Sequence, residues 1–160
     1  MQRRRQFLGT AIAALAATLA SPALGNPHAK GKFAVRMTKA QWKTKLGAKR
    51  FHILREAGTE RAYSSPLNDE KRAGTFHCAG CDAPLFSSLT KYDSRTGWPS
   101  FWDAMDGRVG YAKDTSLFMV RIEEHCARCG GHLGHRFSDG PKPTGKRHCI
   151  NGLSLRFKPA

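Results

Sequence analysis

The pattern of hydrophobic and polar residues predicts helices only in one short region, which begins at Thr38. Thr38 and Gln41 fit a capping box, in which each side chain satisfies a free backbone N–H group at a helix start. Gly47 is expected to interrupt the helix that follows, because glycine is a poor helix former. A second helix is predicted over residues 49–57, with Gly58 marking its end. Both helices are expected to serve packing and to carry no site residues.

After residue 63 the helical period fades, and the pattern predicts short strands separated by glycine- and proline-rich turns. Leu153, Leu155 and Phe157 alternate with polar residues, which is typical of a half-buried strand. The run at residues 115–122 is mostly apolar and is expected to be a largely buried strand. The predicted strands are residues 74–78, 84–86, 108–112, 115–122 and 153–157. These patterns together predict one mainly β domain with helices at its N-terminal end.

The first 25 residues have the pattern of an export signal. Three arginines precede an uncharged apolar run at residues 10–20, and small residues follow at 21–25. Residues 4–8, RRQFL, resemble the twin-arginine signal, whose pathway exports folded proteins; an ordinary secretory signal is the alternative. The apolar run is short for a bilayer span, so no stable membrane insertion is expected after cleavage.

These features divide the chain into a signal at residues 1–25, a linker at 26–36 and a domain at 37–160. The export machinery is the partner that such a signal implies, and the periplasm is the expected location.

Composition adds a strong positive charge. The net charge is +15, and subtracting the three arginines of the predicted signal leaves +12. Such a charge attracts polyanions in general, but no block of five or six like charges is present, which favours a generally basic surface. Nucleic acid is not an expected partner, because the aromatic residues are not interleaved with basic ones as a stacking surface requires.

Four of the five cysteines form two CxxC pairs, Cys78 with Cys81 and Cys126 with Cys129. Two such pairs beside turn-forming glycines favour one tetrahedral Zn²⁺ held by all four thiolates, which would be structural because no coordination position stays open. Two redox-active pairs, or a disulfide across the pairs, are the alternatives. A disulfide exchanger fits less well, because its CxxC motif usually opens a helix.

The fifth cysteine, Cys149, is a candidate nucleophile. On a strand, Arg147, Cys149 and Asn151 would project from one face, and a guanidinium beside a thiol favours the reactive thiolate. His132 and His135 lie in a glycine-rich stretch that could face Cys149, as acid–base partners would. The residues alone leave other interpretations open: an inert buried cysteine, and histidines that bind a second metal or hydrogen-bond within a turn.

Three motifs resemble the signature of the B-type peptide-methionine (R)-S-oxide reductases. They are GWPSF at residues 97–101, HLGHRF at 132–137 and RHCINGLSL at 147–155. The resemblance runs over residues 37–157, and the CxxC pairs stand where many members have zinc ligands. It implies two antiparallel sheets with N-terminal helices, and the reduction of the R epimer of methionine sulfoxide in oxidised proteins and peptides, as in protein repair.

The resemblance also implies a role for each motif residue. Cys149, as a thiolate stabilised by Arg147, would attack the sulfoxide sulfur and become a sulfenic acid. Trp98 and Phe137 would form the apolar wall around the substrate methyl group, although the alternative for Trp98 is an ordinary core tryptophan.

The polar residues of the same motifs would handle the oxygen. His135 would help to protonate the departing sulfoxide oxygen, while His132 and Asn151 would orient substrate and water.

The sequence departs from the common pattern at Thr96. Many members have a cysteine there that resolves the sulfenic acid, whereas the other four cysteines of this chain are assigned to the metal site. An external thiol or a thioredoxin-like protein is therefore the expected reductant.

Overall fold

The computed structural model describes residues 26–160; the predicted export signal at 1–25 lies outside the described residues. Helix α1 (Lys39–Glu56) begins with the predicted capping box, in which the Gln41 N–H donates to the Thr38 hydroxyl over 3.2 Å. Gly47 interrupts it with φ 69° and ψ 168°, so α1 consists of two helical segments with a kink between them. Ala57 ends it in the left-handed conformation. The predicted capping box and the interruption at Gly47 are confirmed, whereas the left-handed residue at the end of the helix is Ala57 and not Gly58.

Nine strands follow α1, and every pairing between them is antiparallel. They are β1 (Gly74–Cys78), β2 (Pro84–Ser87), β3 (Lys91–Tyr92), β4 (Ser100–Phe101), β5 (Val109–Asp114), β6 (Arg121–Cys126), β7 (His132–Phe137), β8 (Arg147–Ile150) and β9 (Leu155–Pro159).

The strands form two sheets, as expected for a mainly β fold. The smaller sheet has the order β2-β1-β9, and the larger has the order β3-β4-β8-β7-β6-β5. Sheet order places β8, the strand of Cys149, between β4 and β7 in the interior of the larger sheet. Cys149 therefore has a cross-strand neighbour on each side.

The core lies between the sheets and α1. Phe86 stacks on Phe101 at 4.4 Å between ring centroids, and Phe76 meets Phe101 edge-on at 4.9 Å. Such a fully buried side chain contributes roughly 1.5–3 kcal/mol relative to an exposed one. Other fully buried residues include Trp42, Leu54, Leu85, Leu133, Ile150 and Leu155.

The prediction of a buried strand at residues 115–122 is wrong. Strand β6 begins only at Arg121, and the preceding residues form the loop of the β5–β6 hairpin. Asp114 closes this loop, because its carboxylate accepts hydrogen bonds from the Ser116 N–H at 2.8 Å and from the Arg121 guanidinium at 2.8 Å. Four successive apolar side chains of the loop are exposed: Leu117, Phe118, Met119 and Val120.

The described part of residues 26–36 contacts the domain. The Asn26 side chain is buried, the Phe33 ring meets the His125 ring edge-on at 5.8 Å, and the Val35 N–H donates to the Arg128 carbonyl at 3.0 Å. The division of the chain at this stretch stays a prediction. Among residues 26–160, no helix combines the length and the apolar character that crossing a membrane requires.

Candidate active site and metal centre

Neighbouring strands bring Cys149 and His135 together. His135 on β7 is the direct cross-strand partner of Cys149 on β8, so both side chains lie on one face of the sheet. Ser100 on β4 is the partner of Cys149 on its other side. A side chain at Gly134 would collide with the Cys149 backbone carbonyl, which explains the glycine between the two histidines of the motif.

A small open cleft lies over this pair. Its volume is about 120 Å³, below the roughly 300–1,000 Å³ of pockets that enclose a whole small molecule. The cleft therefore suits the end of one side chain better than an entire ligand. Its lining contains five of the seven predicted active-site residues: Trp98, His135, Phe137, Cys149 and Asn151. Thr59, Arg121 and Gly134 complete the lining. A larger groove of about 610 Å³, beside Lys49 and Arg156, contains none of the predicted site residues.

Trp98 is held by a hydrogen bond from its indole and by a constrained backbone at the preceding residue. Its Nε1–H donates to the Glu60 carbonyl over 3.1 Å, which leaves the ring half-buried at the cleft. Gly97 before it has φ 90° and lies against Tyr63, where a larger residue would clash. The Glu60 carboxylate in turn accepts the backbone N–H of Gly152 at 2.5 Å. The indole is thus a fixed wall of the cleft.

The Cys149 thiol is half-buried. Burial raises its pKa, while the Thr96 hydroxyl, 3.9 Å from Sγ, and the Arg147 guanidinium act in the opposite direction. Arg147 also forms a bidentate pair with Asp139, both distances being 2.8 Å, and stacks over Phe137 at 4.3 Å. Without substrate, Cys149 is therefore mainly a neutral thiol near pH 7, with a cation close by that favours its ionised form.

His135 is held by Asp114. Its Nε2 lies 2.7 Å from Asp114 Oδ2, and Asp114 is only 1% exposed. Burial disfavours the charge on Asp114, but hydrogen bonds from Ser116 and His135 outweigh it and lower the pKa of this carboxyl. Burial also lowers the pKa of His135, more than Asp114 raises it. His135 is therefore mainly neutral near pH 7, and its Nε2 proton is directed at Asp114.

His132 lies behind His135 and does not line the cleft. Its ring is fully buried, meets the His135 ring edge-on at 5.4 Å, and has Nδ1 2.8 Å from Glu123 Oε1. Within residues 26–160 its Nε2 has no hydrogen-bond partner. Burial opposes the charge on Glu123, yet hydrogen bonds from His125 and His132 lower its pKa to about 2. A buried carboxylate thus fixes the His132 ring.

Asn151 lines the cleft, but both ends of its side-chain amide are engaged. Its Oδ1 accepts the Glu60 N–H at 2.9 Å, and its Nδ2 donates to the Leu133 carbonyl at 3.0 Å. The amide therefore ties the segment that anchors Trp98 to strand β7. This geometry indicates that Asn151 positions the two walls of the cleft.

Three acidic residues of this arrangement were missed by the sequence analysis: Glu60, Asp114 and Glu123. The signal that could have revealed Glu123 is its place in a strand, RIEEHC, whose acidic residues are buried. Buried carboxylates need hydrogen-bond or charge partners, and histidines are the natural ones nearby. Asp114 and Glu60 carry no comparable local signal.

The four CxxC cysteines meet at one point. Their sulfur atoms all lie within 4.8 Å of one another, with Cys78 3.7 Å from Cys129 and Cys81 3.5 Å from Cys126. A tetrahedral zinc ion with Zn–S bonds of about 2.3 Å would separate its sulfurs by about 3.8 Å, so the spacing fits. The cluster can hold a metal ion.

Two features of the surroundings act on the charge of the cluster. Hydrogen bonding to the other cluster cysteines and burial raise the pKa of Cys78, and a cation bound to the cluster would favour its thiolate form. The buried Arg55 guanidinium donates to the Cys129 carbonyl at 3.0 Å and lies over Trp42. Four thiolates with one divalent ion would have a net negative charge, and the positive charge of Arg55 offsets part of it.

Comparison with known proteins gives the family. The SelR domain matches residues 46–159, which include both CxxC pairs and Cys149. The chain belongs to the MsrB family.

It is similar to the peptide methionine sulfoxide reductase MsrB of Methanosarcina barkeri, with 53% identity over 126 residues, 78% of this chain and 89% of the relative. The MsrB enzyme of Thiobacillus denitrificans is 52% identical over 123 residues, 76% of this chain and 93% of the relative. That of Pseudomonas putida is 50% identical over 123 residues, 76% and 92% respectively. Family membership makes this chain an enzyme.

Proposed function

We propose that this MsrB-family enzyme reduces the R epimer of peptide-bound methionine sulfoxide, with Cys149 as its nucleophile. The observation that carries the proposal is the direct pairing of Cys149 with His135 in a cleft of which the Trp98 indole forms one wall. The names of the relatives supply the substrate class, peptide methionine sulfoxide. The small cleft volume is consistent with a side chain presented by a peptide.

The chemistry follows from the two opposed pKa shifts. The pKa of Cys149 is raised and that of His135 is lowered, so the resting pair is a thiol beside a neutral imidazole. When the sulfoxide is bound, Cys149 Sγ attacks the sulfoxide sulfur while the thiol proton passes by way of His135 to the sulfoxide oxygen. The protonated oxygen then moves to Sγ, so the S–O bond of the substrate breaks and the S–O bond of Cys149 forms. The sulfoxide sulfur gains two electrons and leaves as methionine, and Cys149 loses two and becomes a sulfenic acid. Atoms and protons balance, because the thiol hydrogen ends on the sulfenic acid oxygen.

The remaining residues hold this geometry. Arg147, fixed by Asp139, stabilises the developing thiolate, and Trp98 with Phe137 receives the substrate methyl group. His132 and Asn151 act by keeping His135 and the cleft walls in place.

Regeneration needs an external reductant. The Thr96 hydroxyl lies 3.9 Å from Cys149 Sγ, where a second thiol would be needed, and the other four cysteines form the cluster. Two thiols of a small molecule or of a thioredoxin-like protein therefore reduce the sulfenic acid, giving water, a disulfide and the free Cys149 thiol.

We also propose one structural Zn²⁺ in the four-cysteine cluster and export to the periplasm. All four thiolates are used, so the metal would stabilise the fold and leave the reaction to Cys149. Export rests on residues 1–25 alone; cell fractionation with N-terminal sequencing of the mature protein would test it.

The deciding assay measures turnover of dabsyl-methionine R- and S-sulfoxides with dithiothreitol. Wild-type enzyme should reduce the R epimer only, and Cys149→Ser should lose roughly 10³-fold or more of the activity. Dimedone should label Cys149 after oxidation by substrate. Thr96→Ser serves as a matched control that retains the hydroxyl beside Cys149. Turnover of the S epimer alone, or activity that survives Cys149→Ser, contradicts the proposal.

A further inference from the structure

Residues 26–28, called the N-terminal strap below, reach the buried groups behind the active site. Asn26 is 4% exposed, and its Nδ2 donates to Glu123 Oε1 over 2.6 Å. Its Oδ1 accepts the backbone N–H of His28 at 3.1 Å, which closes the strap into a turn. The buried Asn26 side chain therefore attaches the strap to the domain and also stabilises its turn.

The turn directs His28 toward a second carboxylate. His28 Nε2 lies 3.8 Å from Asp114 Oδ1, and the imidazole is only 20% exposed. The strap thus contacts two buried carboxylates, and each of them holds one histidine of the site: Glu123 holds His132, and Asp114 holds His135. Two independent contacts converge on the same histidine pair.

Glu123 depends on its donors, because it is fully buried and ionised. Its Oε1 accepts both Asn26 and His132, and its Oε2 accepts His125 at 2.8 Å. Removing the Asn26 donor leaves a buried charge short of one hydrogen bond, which the remaining donors must compensate by moving. His132 is the donor that packs against His135.

We infer that Asn26 and His28 are positioning residues for the His132–His135 pair. They complete the hydrogen-bond and charge environment of Glu123 and Asp114, and so fix the orientation of the ring that exchanges protons with Cys149. The inference rests on the proposed function of His135. The strap lies outside residues 46–159, so the SelR domain match does not include it.

His135 is surrounded by charged and titratable groups from every neighbouring element, so a shift in any of them changes the pH dependence of the reaction. They are His28 of the strap, Asp114 of β5, Arg121 of β6, His132 of β7 and Cys149 of β8.

The test uses the full chain with the substitutions Asn26→Ala, Asn26→Asp and His28→Ala. Lys30→Ala, at an exposed position two residues after the strap, is the control. Kinetics with dabsyl-methionine R-sulfoxide are measured from pH 5 to 9. We expect kcat to fall roughly tenfold in the first three variants, because small misplacements of a catalytic group are costly. KM should stay within twofold, since the strap does not line the cleft.

Asn26→Asp provides the sharper signature. At neutral pH its carboxylate faces that of Glu123 and accepts where a donor is needed, whereas the protonated form at low pH can donate again. Its deficit relative to wild type should therefore shrink as the pH falls toward 5. A merely structural contribution would give a deficit that does not depend on pH in this direction.

His28→Gln keeps the inference testable if Asn26 variants do not fold, because the amide can restore the contact with Asp114 that His28→Ala removes. Recovery of kcat in His28→Gln supports the inference, and equal values for His28→Ala and wild type overturn it. An inactive wild type would refute the proposed function instead. An active wild type with strap variants unchanged in kcat and pH profile refutes the strap alone.

Discussion

The two cysteine environments of this protein differ in the partners of the sulfur atom. In the four-cysteine cluster, each sulfur has another within 3.5–3.7 Å, and a buried guanidinium lies beside them. Cys149 stands alone on an interior strand, with the Thr96 hydroxyl at 3.9 Å and an imidazole across the sheet. The same side chain is thus a ligand in one place and a nucleophile in the other, because its neighbours differ.

The positions of the two sites in the fold add to this contrast. Cys78 ends β1 of the smaller sheet and Cys126 ends β6 of the larger, so the cluster joins the two sheets at hairpin turns. A metal there would close a long loop, since Cys81 and Cys126 are 45 positions apart. Strand β6 also carries Glu123, which holds His132. The cluster therefore supports the strand that positions the site, without contributing a group to the cleft.

The largest expected effect is the loss of a cluster cysteine. Cys129→Ser should release the metal and lower the free energy of unfolding by at least about 3 kcal/mol, because the binding energy of a structural metal is part of the folding energy. Metal content by mass spectrometry and urea unfolding would measure this. Cys149→Ser is the matched control and should keep one metal ion per chain with wild-type stability. Equal metal content in both variants would contradict the division of roles.

An intermediate effect is expected when Cys149 is given a partner thiol. Thr96→Cys places a sulfur where a hydroxyl now lies 3.9 Å from Cys149 Sγ. A disulfide has an S–S distance of about 2.0 Å, so the loop carrying residue 96 must move by about 2 Å. After oxidation by substrate, we expect an internal disulfide in place of the dimedone-reactive sulfenic acid. Intact-mass analysis would show the loss of two hydrogens.

Thr96→Ser is the control for that experiment, because it retains the hydroxyl without adding a thiol. Dimedone labelling of Thr96→Cys at the wild-type level would show that the loop cannot bring the two sulfurs together. In that case the isolation of Cys149 is a property of the loop geometry as well as of the residue at position 96.

Features that depend on neighbouring residues in the chain could be predicted from the sequence. The capping box at Thr38 and the interruption at Gly47 are set by hydrogen bonds and backbone preferences within a few residues. The paired CxxC spacing likewise predicted a cluster whose four members do meet. Cys149 and Trp98 came from motifs, and the structure places both at one cleft.

Features that depend on strand pairing could not be predicted in the same way. Asp114 and His135 are 21 positions apart and meet only because β5, β6 and β7 are adjacent. Strand β7 itself was not predicted, since Gly134 and the two glycines before the strand suggested a turn. Gly134 is needed there for the close approach of β8, which a hydropathy pattern does not show. Local sequence patterns therefore predict contacts within a helix or turn, but they do not predict contacts between strands.

The smallest expected effect concerns the β5–β6 loop. This loop follows Asp114, which holds His135 beside Cys149, and precedes β6, which ends at the cluster residue Cys126. Phe118 is fully exposed, although its apolar neighbours predicted a buried strand. Phe118→Ser should therefore change the free energy of unfolding by no more than about 0.5 kcal/mol and leave metal content unchanged. Phe86→Ala, at a fully buried position, should cost about 3–5 kcal/mol in the same urea titration. A comparable decrease in the free energy of unfolding in both variants would mean that the loop packs against the domain. The loop would then be a further structural link between the two cysteine environments.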